Sequence, residues 1–209
     1  MSDRCPSEDD FCKRSAFATN IAQRALPPAG AAYVYHLGED GNWSLQQKLL
    51  PVNLYSRANR FGSSVATSGD VIVVGADMDP AQGEDSGAAY LYRLSDGAWR
   101  LESKMIPTIE PGEGDHRGYS CGYSVDVAND GSAVVVGCPG APGGGAAYLY
   151  TLNQNGKWMQ TEKLSKPAGY PSTGLALGNS VALSSGEDGM AVVGYGEANG
   201  AIFSYRKDC

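Results

Sequence analysis

The sequence predicts an all-β fold, a small β-propeller of about four four-stranded antiparallel blades in which the terminal blades are incomplete. Three observations predict it. A tyrosine-containing motif recurs four times at nearly constant spacing, other elements recur with it in the same order, and each element is a short run rich in valine, tyrosine or tryptophan. Such runs are typical of strands, and a fixed period of this length is typical of repeat architectures.

The tyrosine motif sets the period of the repeat. Its copies are GAAYVY at 30–35, GAAYLY at 87–92 and 145–150, and GAIFSY at 200–205, so they are spaced by 57, 58 and 55 residues. A tryptophan follows each of the first three copies and begins a run of alternating polar and apolar residues. These tryptophans are Trp43, Trp99 and Trp158. The alternation predicts an outer, half-exposed strand, and we expect the aromatic side chains to pack in the core and between blades.

A valine-rich run and a glycine-serine run share this period. The valine-rich runs lie at 71–76, 133–138 and 190–195, and the glycine-serine runs lie at 61–66, 121–126 and 177–182. Each valine-rich run is apolar at successive positions, so both faces of that strand are expected to be buried. A propeller provides this environment because each blade is packed between two neighbours.

The order of these elements resembles a known repeat family. Phe-Gly-x-Ser-Val-Ala at 61–66, Val-Val-Gly-Ala at 73–76 and Gly-Ala-Ala-Tyr-x-Tyr at 87–92 are similar to the FG-GAP repeat of integrin-type β-propellers. The resemblance implies that each repeat forms one four-stranded blade, and that the protein acts in adhesion or extracellular recognition. Cys121 and Leu177 replace the phenylalanine in the later copies, and the calcium loop of the family is incomplete.

The number of blades depends on the first 29 residues. All four elements occur in 61–106 and in 121–164, whereas 177–205 lacks the tryptophan strand and 30–49 contains only the tyrosine and tryptophan strands. We therefore assign residues 1–29 to an N-terminal extension and residues 30–209 to the propeller domain.

Two interpretations of the extension are open. Residues 17–22 match 61–66 in residue type, which predicts a first strand and a ring of four blades. Alternatively, a serine-capped helix runs over 7–26 and ends before two prolines. The propeller is then open, and a neighbouring chain completes it, because an unfinished sheet edge exposes unpaired backbone groups.

Five cysteines suggest an oxidising compartment. Cys121 begins one strand and Cys138 ends the next, so a hairpin would place them nearly opposite each other, in reach of a disulfide. Cys5, Cys12 and Cys209 lie near the chain ends, and a bond from either of the first two to Cys209 would clamp a ring shut. The alternative is that all five are reduced, buried side chains.

One loop is a candidate calcium site. Asp77 and Asp79 alternate along the chain, and Asp85 follows, which gives oxygen ligands of the kind that calcium prefers. A further close ligand and a bidentate glutamate are missing, so a solvated turn is the competing interpretation. No other cofactor is indicated.

Composition argues against two classes of partner. The net charge is −7 and the pI about 4.8, without a cluster of lysine and arginine that would neutralise phosphates, so nucleic-acid binding is not expected. No apolar run approaches the roughly 18 residues of a membrane-spanning helix.

Asn42 begins an Asn-Trp-Ser glycosylation sequon in a predicted surface turn.

Catalytic chemistry is weakly represented in the sequence. His36 follows a tyrosine strand, and His116 lies beside Asp115 in a polar loop that is expected to be solvated, with no evident nucleophile. We therefore expect a non-enzymatic extracellular or cell-surface protein that acts through protein–protein contacts. Two alternatives are a self-assembling subunit of an extracellular filament or sheath, and a glycan-binding module or hydrolase that uses Asp115 or Asp77.

Overall fold

The structure is a computed structural model that describes residues 30–51, 59–108, 116–169, 176–184, 190–195 and 201–206. The described residues contain strands and no α-helix, arranged in four antiparallel sheets that we call blades 1 to 4. Blade 1 consists of β1 (Ala32–Leu37) and β2 (Trp43–Leu49). Blade 2 consists of β3 (Val65–Ser68), β4 (Val71–Ala76), β5 (Ala88–Ser95) and β6 (Ala98–Met105). Blade 3 consists of β7 (Ser124–Val127), β8 (Ala133–Cys138), β9 (Ala146–Leu152) and β10 (Trp158–Leu164). Blade 4 consists of β11 (Ser180–Leu183), β12 (Met190–Tyr195) and β13 (Ala201–Arg206).

This arrangement confirms the predicted fold. Blades 2 and 3 are complete four-stranded meanders, and blades 1 and 4 have two and three strands among the described residues. The sheets stack side by side without closing into a ring, so the described part of the chain is an open, partial propeller. Residues 1–29 lie outside the described residues, and with them the choice between strand and helix and the boundary of the extension.

Local sequence explains the meander within a blade. Strands β5 and β6 are joined by Asp96 and Gly97, which both have positive φ, at 52° and 77°. A two-residue hairpin turn of this hand matches the twist of the flanking strands and favours the Asp-Gly pair. Strand β4 is buried at every position, as the valine-rich run predicts.

Blades pack face to face in a constant orientation. We call the face of a blade that points to the lower-numbered blade its leading face, and the opposite face its trailing face. The leading face of blade 2, with Val74, Tyr90 and Tyr92, packs with Ala32 and Leu49 of blade 1. The two later interfaces repeat this arrangement. The trailing face of blade 2 (Val73, Ala89, Leu91) packs on the leading face of blade 3 (Val136, Tyr148, Tyr150). The trailing face of blade 3 (Val135, Ala147, Leu164) packs on the leading face of blade 4 (Val193, Phe203).

A glycine at the start of each tyrosine motif allows the blades to approach. Gly87 forms a parallel bridge with Cys121 of the next blade, and a Cβ added at Gly87 would lie 2.1 Å from the Cys121 carbonyl oxygen. Gly87 also has a φ of +77°, which side chains other than glycine rarely adopt. The same bridge links Gly30 to Phe61 and Gly145 to Leu177. The recurring glycine is therefore a requirement of blade stacking.

A serine in the glycine-serine run ties blade 2 to blade 3 and blade 3 to blade 4. The Ser64 hydroxyl donates a hydrogen bond of 2.7 Å to the Gly122 carbonyl oxygen of blade 3. The Ser124 hydroxyl donates one of the same length to the Gly178 carbonyl oxygen of blade 4. These bonds give backbone carbonyl oxygens at the interface a hydrogen-bond donor, as buried polar groups require.

Candidate interaction surface

The leading face of blade 1 carries five large apolar side chains that are about half exposed or more. The residues are Tyr33, Tyr35, Leu37, Trp43 and Leu45, with exposed fractions between 49% and 69%. They form one patch because of the strand register, in which Tyr35 is opposite Leu45 and Leu37 is opposite Trp43. Directly opposed residues of an antiparallel pair project to the same face of the sheet.

The equivalent side chains of blades 2 and 3 are buried. Tyr33 corresponds to Tyr90 and Tyr148, which are both 0% exposed, although the three motifs differ at one position only. Tyr90 packs edge-on against Phe61, with their ring centroids 5.3 Å apart. The difference arises because blades 2 and 3 each have a preceding blade on this face, and the described residues place none on blade 1.

The outer tryptophans show what a preceding blade supplies. The Trp99 indole nitrogen donates a hydrogen bond of 3.1 Å to the Gln46 side-chain oxygen on β2. One period later, the Trp158 indole nitrogen donates one of 2.8 Å to the Glu102 carboxylate on β6. Trp43 holds the same position in blade 1 and is 69% exposed. A blade packed on blade 1 would offer this indole an acceptor.

Gln47 strengthens the contact between blades 1 and 2. Its side-chain nitrogen donates to the Trp99 carbonyl oxygen, and its side-chain oxygen accepts from the Trp99 backbone nitrogen, each at 2.8 Å. One side chain thus satisfies both backbone groups of Trp99, as a neighbouring strand would. This pairing fixes blade 1 on blade 2 and leaves the opposite, leading face of blade 1 exposed.

Two of the three predicted calcium ligands, Asp77 and Asp79, form ion pairs. Asp77 is buried and lies 3.1 Å from the Arg60 guanidinium. Asp79, also buried, accepts hydrogen bonds from the Lys104 ammonium at 2.7 Å and from the Tyr90 hydroxyl. Burial and the bond to Asp79 raise the pKa of Tyr90 far above its usual value.

The structure does not bring Asp77, Asp79 and Asp85 together as a cation site. Within the described ranges, no group of three or more histidine, cysteine, aspartate or glutamate side chains could hold a metal ion. Two of the carboxylates point into the protein, where cationic side chains neutralise them, and calcium binding at this loop stays a prediction. Their role in this structure is to hold the 77–87 loop against blade 2.

Comparison with known proteins identifies the repeat. Residues 43–92 match the family model described as FG-GAP repeat. The chain contains an FG-GAP repeat. The matched segment begins with β2 of blade 1 and ends within β5 of blade 2, so the FG-GAP sequence unit crosses the first blade interface.

No curated protein matches the chain. Among solved structures, the crystal structure of a protein from Lactobacillus plantarum is similar, with 14% identity and a TM-score of 0.44. The similarity covers 85% of this chain and 50% of that protein, so this chain spans about half the length of the structure that it matches.

Cys121, which precedes β7 in blade 3, forms a disulfide with Cys138 at the end of β8. The hairpin argument predicts this pair, and the two Cα atoms are 4.0 Å apart. Both cysteines are fully buried between blades 2 and 3. Cys5, Cys12 and Cys209 lie outside the described residues, so their pairing stays a prediction.

Asn42 lies at the exposed turn between β1 and β2. Its backbone nitrogen and its side-chain amide donate to the two carboxylate oxygens of Asp40, each at 3.0 Å. These bonds lower the pKa of Asp40. Glycosylation of Asn42 stays a prediction, and the structure places this residue beside Trp43, at the margin of the exposed face.

The expectation of a solvated His116 was wrong. The side chain is completely buried and stacks on the Tyr119 ring, with a centroid distance of 4.2 Å. The imidazole packs because the 116–121 segment is bonded to the 82–86 segment of blade 2, for example from the Cys121 nitrogen to the Ser86 oxygen. His36 is exposed on the face of β1 that also carries Ala32 and Val34, opposite to the leading face, and Asp115 lies outside the described residues.

Sequence reasoning missed the exposed face of blade 1. Tyr33 and Tyr35 were expected to be packed like their counterparts, because the motif alone does not state whether a neighbouring blade is present. One signal could have found the surface. Residues 30–49 are the first copy of the tyrosine and tryptophan elements. No earlier copy exists within 30–206 that could form a blade to cover them.

No helix long and apolar enough to cross a bilayer occurs in the described ranges.

Proposed function

We propose that this chain is a non-enzymatic, extracellular or cell-surface propeller module that acts in adhesion or structural protein–protein interaction. We further propose that it binds through the leading face of blade 1. One observation carries the proposal: five large apolar side chains are exposed on a face whose counterparts in blades 2 and 3 are buried. Contiguous apolar surface of this kind marks interaction sites in soluble proteins.

The chemistry of the face suits a protein partner. Tyrosine and tryptophan are enriched at protein interfaces, where they contribute much of the binding free energy. Small-molecule sites, in contrast, are usually concave and enclose most of their ligand. The leading face of blade 1 is a two-stranded sheet surface, which matches the shape of another sheet or a flat protein surface.

Two features support an extracellular setting. Disulfides persist in oxidising compartments, and Cys121 is bonded to Cys138. The sequon at Asn42 lies on an exposed turn, where an attached glycan would be accommodated.

Two features support a role without catalysis. General acid–base chemistry needs a titratable group within reach of a substrate. Asp77 and Asp79 are buried and paired with Arg60 and Lys104, and His116 is buried against Tyr119. A glycan array tests the alternative of a glycan-binding module. Specific glycan binding by the wild type that is lost in a folded Asp77→Ala variant would overturn the proposal that the protein acts through protein contacts.

The binding proposal is tested with the fluorescently labelled chain on intact cells of its own source. Tyr35→Ala and Trp43→Ala should each weaken binding roughly 10- to 30-fold, because an anchoring aromatic residue contributes about 1.4 to 2 kcal/mol. The control is Met159→Ala on β10, whose side chain is similarly exposed at 52%. We expect the control to bind like the wild type. Equal binding by all three variants would overturn the assignment of the surface.

Mass spectrometry of the native protein tests the extracellular part. We expect a peptide that links Cys121 to Cys138 and a glycan on Asn42. Native material with both cysteines reduced and Asn42 unmodified would contradict an extracellular location.

A further inference from the structure

The stack of blades has two open ends, and they differ. At one end is the leading face of blade 1, described above. At the other end is the trailing face of blade 4, where Ile202 is 75% exposed and Ser204 and Ala182 are also exposed. Because both faces are exposed, they do not contact each other within one molecule.

The trailing face of blade 4 has the register of an internal blade interface. Ile202 corresponds to Ala89 and Ala147, which are both fully buried against the next blade. It lies opposite Gly194 of β12, just as Ala89 lies opposite Gly75 of β4. Ser204 corresponds to Leu91. The end of the stack therefore presents a surface with the same layout as those that other blades cover.

We infer that the leading face of blade 1 docks on the trailing face of blade 4 of a second copy of this chain. The inference rests on the proposed function, because it assigns a partner to the same surface. All three interfaces within the molecule join a trailing face to a leading face, with the same glycine bridge at Gly30, Gly87 and Gly145. A second copy placed head to tail continues this series by one more interface of the same type.

One side-chain pair on blade 1 already has the spacing that it has in the buried interfaces. The Lys48 ammonium lies 5.3 Å from the centroid of the Tyr33 ring. The corresponding distances in the buried blades are 5.1 Å for Lys104 and Tyr90 and 5.8 Å for Lys163 and Tyr148. Docking therefore requires no rearrangement of the Lys48–Tyr33 pair, which limits the ordering cost of binding.

The geometry has a consequence for the size of the assembly. A head-to-tail contact uses two different surfaces, so every bound copy leaves one of each kind free. Such a contact extends into a filament or closes into a ring.

The experiment measures the mass of the full chain by light scattering and sedimentation, with and without reductant, over a wide range of protein concentrations. We expect the mass to rise with concentration beyond that of a dimer, in reductant as well, because the contact is a packing of faces. Tyr35→Glu and Ile202→Glu should each weaken association by roughly 100-fold or more, since an unpaired charge would be buried. Met159→Glu, a matched exposed position outside both faces, should associate like the wild type.

Mixing the two variants gives the decisive outcome. Each variant alone has one blocked face and should stay monomeric. An equimolar mixture should form dimers and nothing larger, because the intact blade 1 face of Ile202→Glu meets the intact blade 4 face of Tyr35→Glu. Circular dichroism checks that both variants fold, and Tyr35→Ser and Ile202→Ser replace them if they do not.

Other outcomes would overturn the inference. Association that survives Ile202→Glu would mean that blade 1 faces pair with each other. A wild type that stays monomeric at every concentration would mean that residues 1–29 or another protein occupies the face. If another protein occupies the face, Tyr35→Ala should still lose cell-surface binding, and the proposed function stands without self-assembly. If residues 1–29 occupy it, Tyr35→Ala should bind like the wild type, and the proposed function fails as well.

Discussion

Blades 1 and 2 begin their tyrosine strands with almost the same residues and yet end in different environments. GAAYVY in blade 1 exposes Tyr33 and Tyr35, whereas GAAYLY in blade 2 buries Tyr90 and Tyr92. The backbone register and the stacking of lysine on tyrosine are shared, so local structure does not explain the difference. Burial in a repeat protein comes from the neighbouring repeat, and a terminal repeat exposes the surface that an internal repeat buries.

The largest expected effect comes from truncating the same tyrosine in the two blades. Tyr90→Ala removes a buried ring and its hydrogen bond to Asp79, and should lower the free energy of unfolding by about 4 kcal/mol. Tyr33→Ala should lower it by less than about 1 kcal/mol, because half of the ring is exposed. Urea denaturation in dilute solution measures both. Equal losses would show that the blade 1 face is buried in solution.

The close backbone contact between blades at the glycine bridge is tested by adding a methyl group to the glycine. Gly87→Ala should cost on the order of 3 kcal/mol, because the new Cβ would overlap the backbone of Cys121 and adopt a positive φ. Gly41→Ala is the matched control: its φ is +76°, but nothing lies within 4 Å of the added carbon. The control should cost only about 1 kcal/mol. If thermal and urea denaturation gave the same loss of unfolding free energy for both variants, the glycine bridge would not be a tight contact between blades.

The attachment of blade 1 to blade 2 is tested at Gln47. Gln47→Ala removes two hydrogen bonds to the Trp99 backbone and should lower stability by about 1 to 2 kcal/mol. Hydrogen exchange should quicken in β1 and β2 more than in β9 and β10. A uniform change in all blades would contradict a local role for this side chain.

The smallest effect appears only in alkali. Burial raises the pKa of Tyr92 to about 12, and its hydroxyl donates to the Leu50 carbonyl oxygen. Because the folded pKa lies above the unfolded value near 10, the contribution to stability is complete below pH 10 and is lost as the pH rises towards 12. The loss attributable to Tyr92 should be roughly 1 kcal/mol at pH 11. Tyr92→Phe should show a correspondingly shallower fall between pH 10 and 12; an identical slope would contradict the raised pKa.

Periodic features were predictable from sequence because every copy of the repeat meets the same physical requirement and therefore carries similar residues. The valine-rich strands β4 and β8, the limits of blades 2 and 3, and the pairing of Cys121 with Cys138 all follow from repeat position and strand pairing. The recurring glycine was visible as a motif, but its role in the close contact between blades became evident only from the distances in the structure.

Features that depend on a neighbour were not predictable. His116 is buried because a segment of blade 2 packs over it, and its own polar loop gives no sign of this. Asp77 and Asp79 alternate like calcium ligands, but Arg60 and Lys104 neutralise them from elsewhere in the chain. The exposure of Tyr33 depends on the absence of a covering blade among the described residues, which the motif itself cannot encode.

Hydroxyl-radical footprinting with mass spectrometry tests the central claim most directly, since it reports the solvent exposure of each aromatic side chain. In dilute solution we expect oxidation of Tyr33, Tyr35 and Trp43 and none of Tyr90 and Tyr148. At high concentration the first three should become protected while Met159 stays reactive. Protection of Tyr33 and Tyr35 in the dilute monomer would contradict the account, because the face would then already be covered.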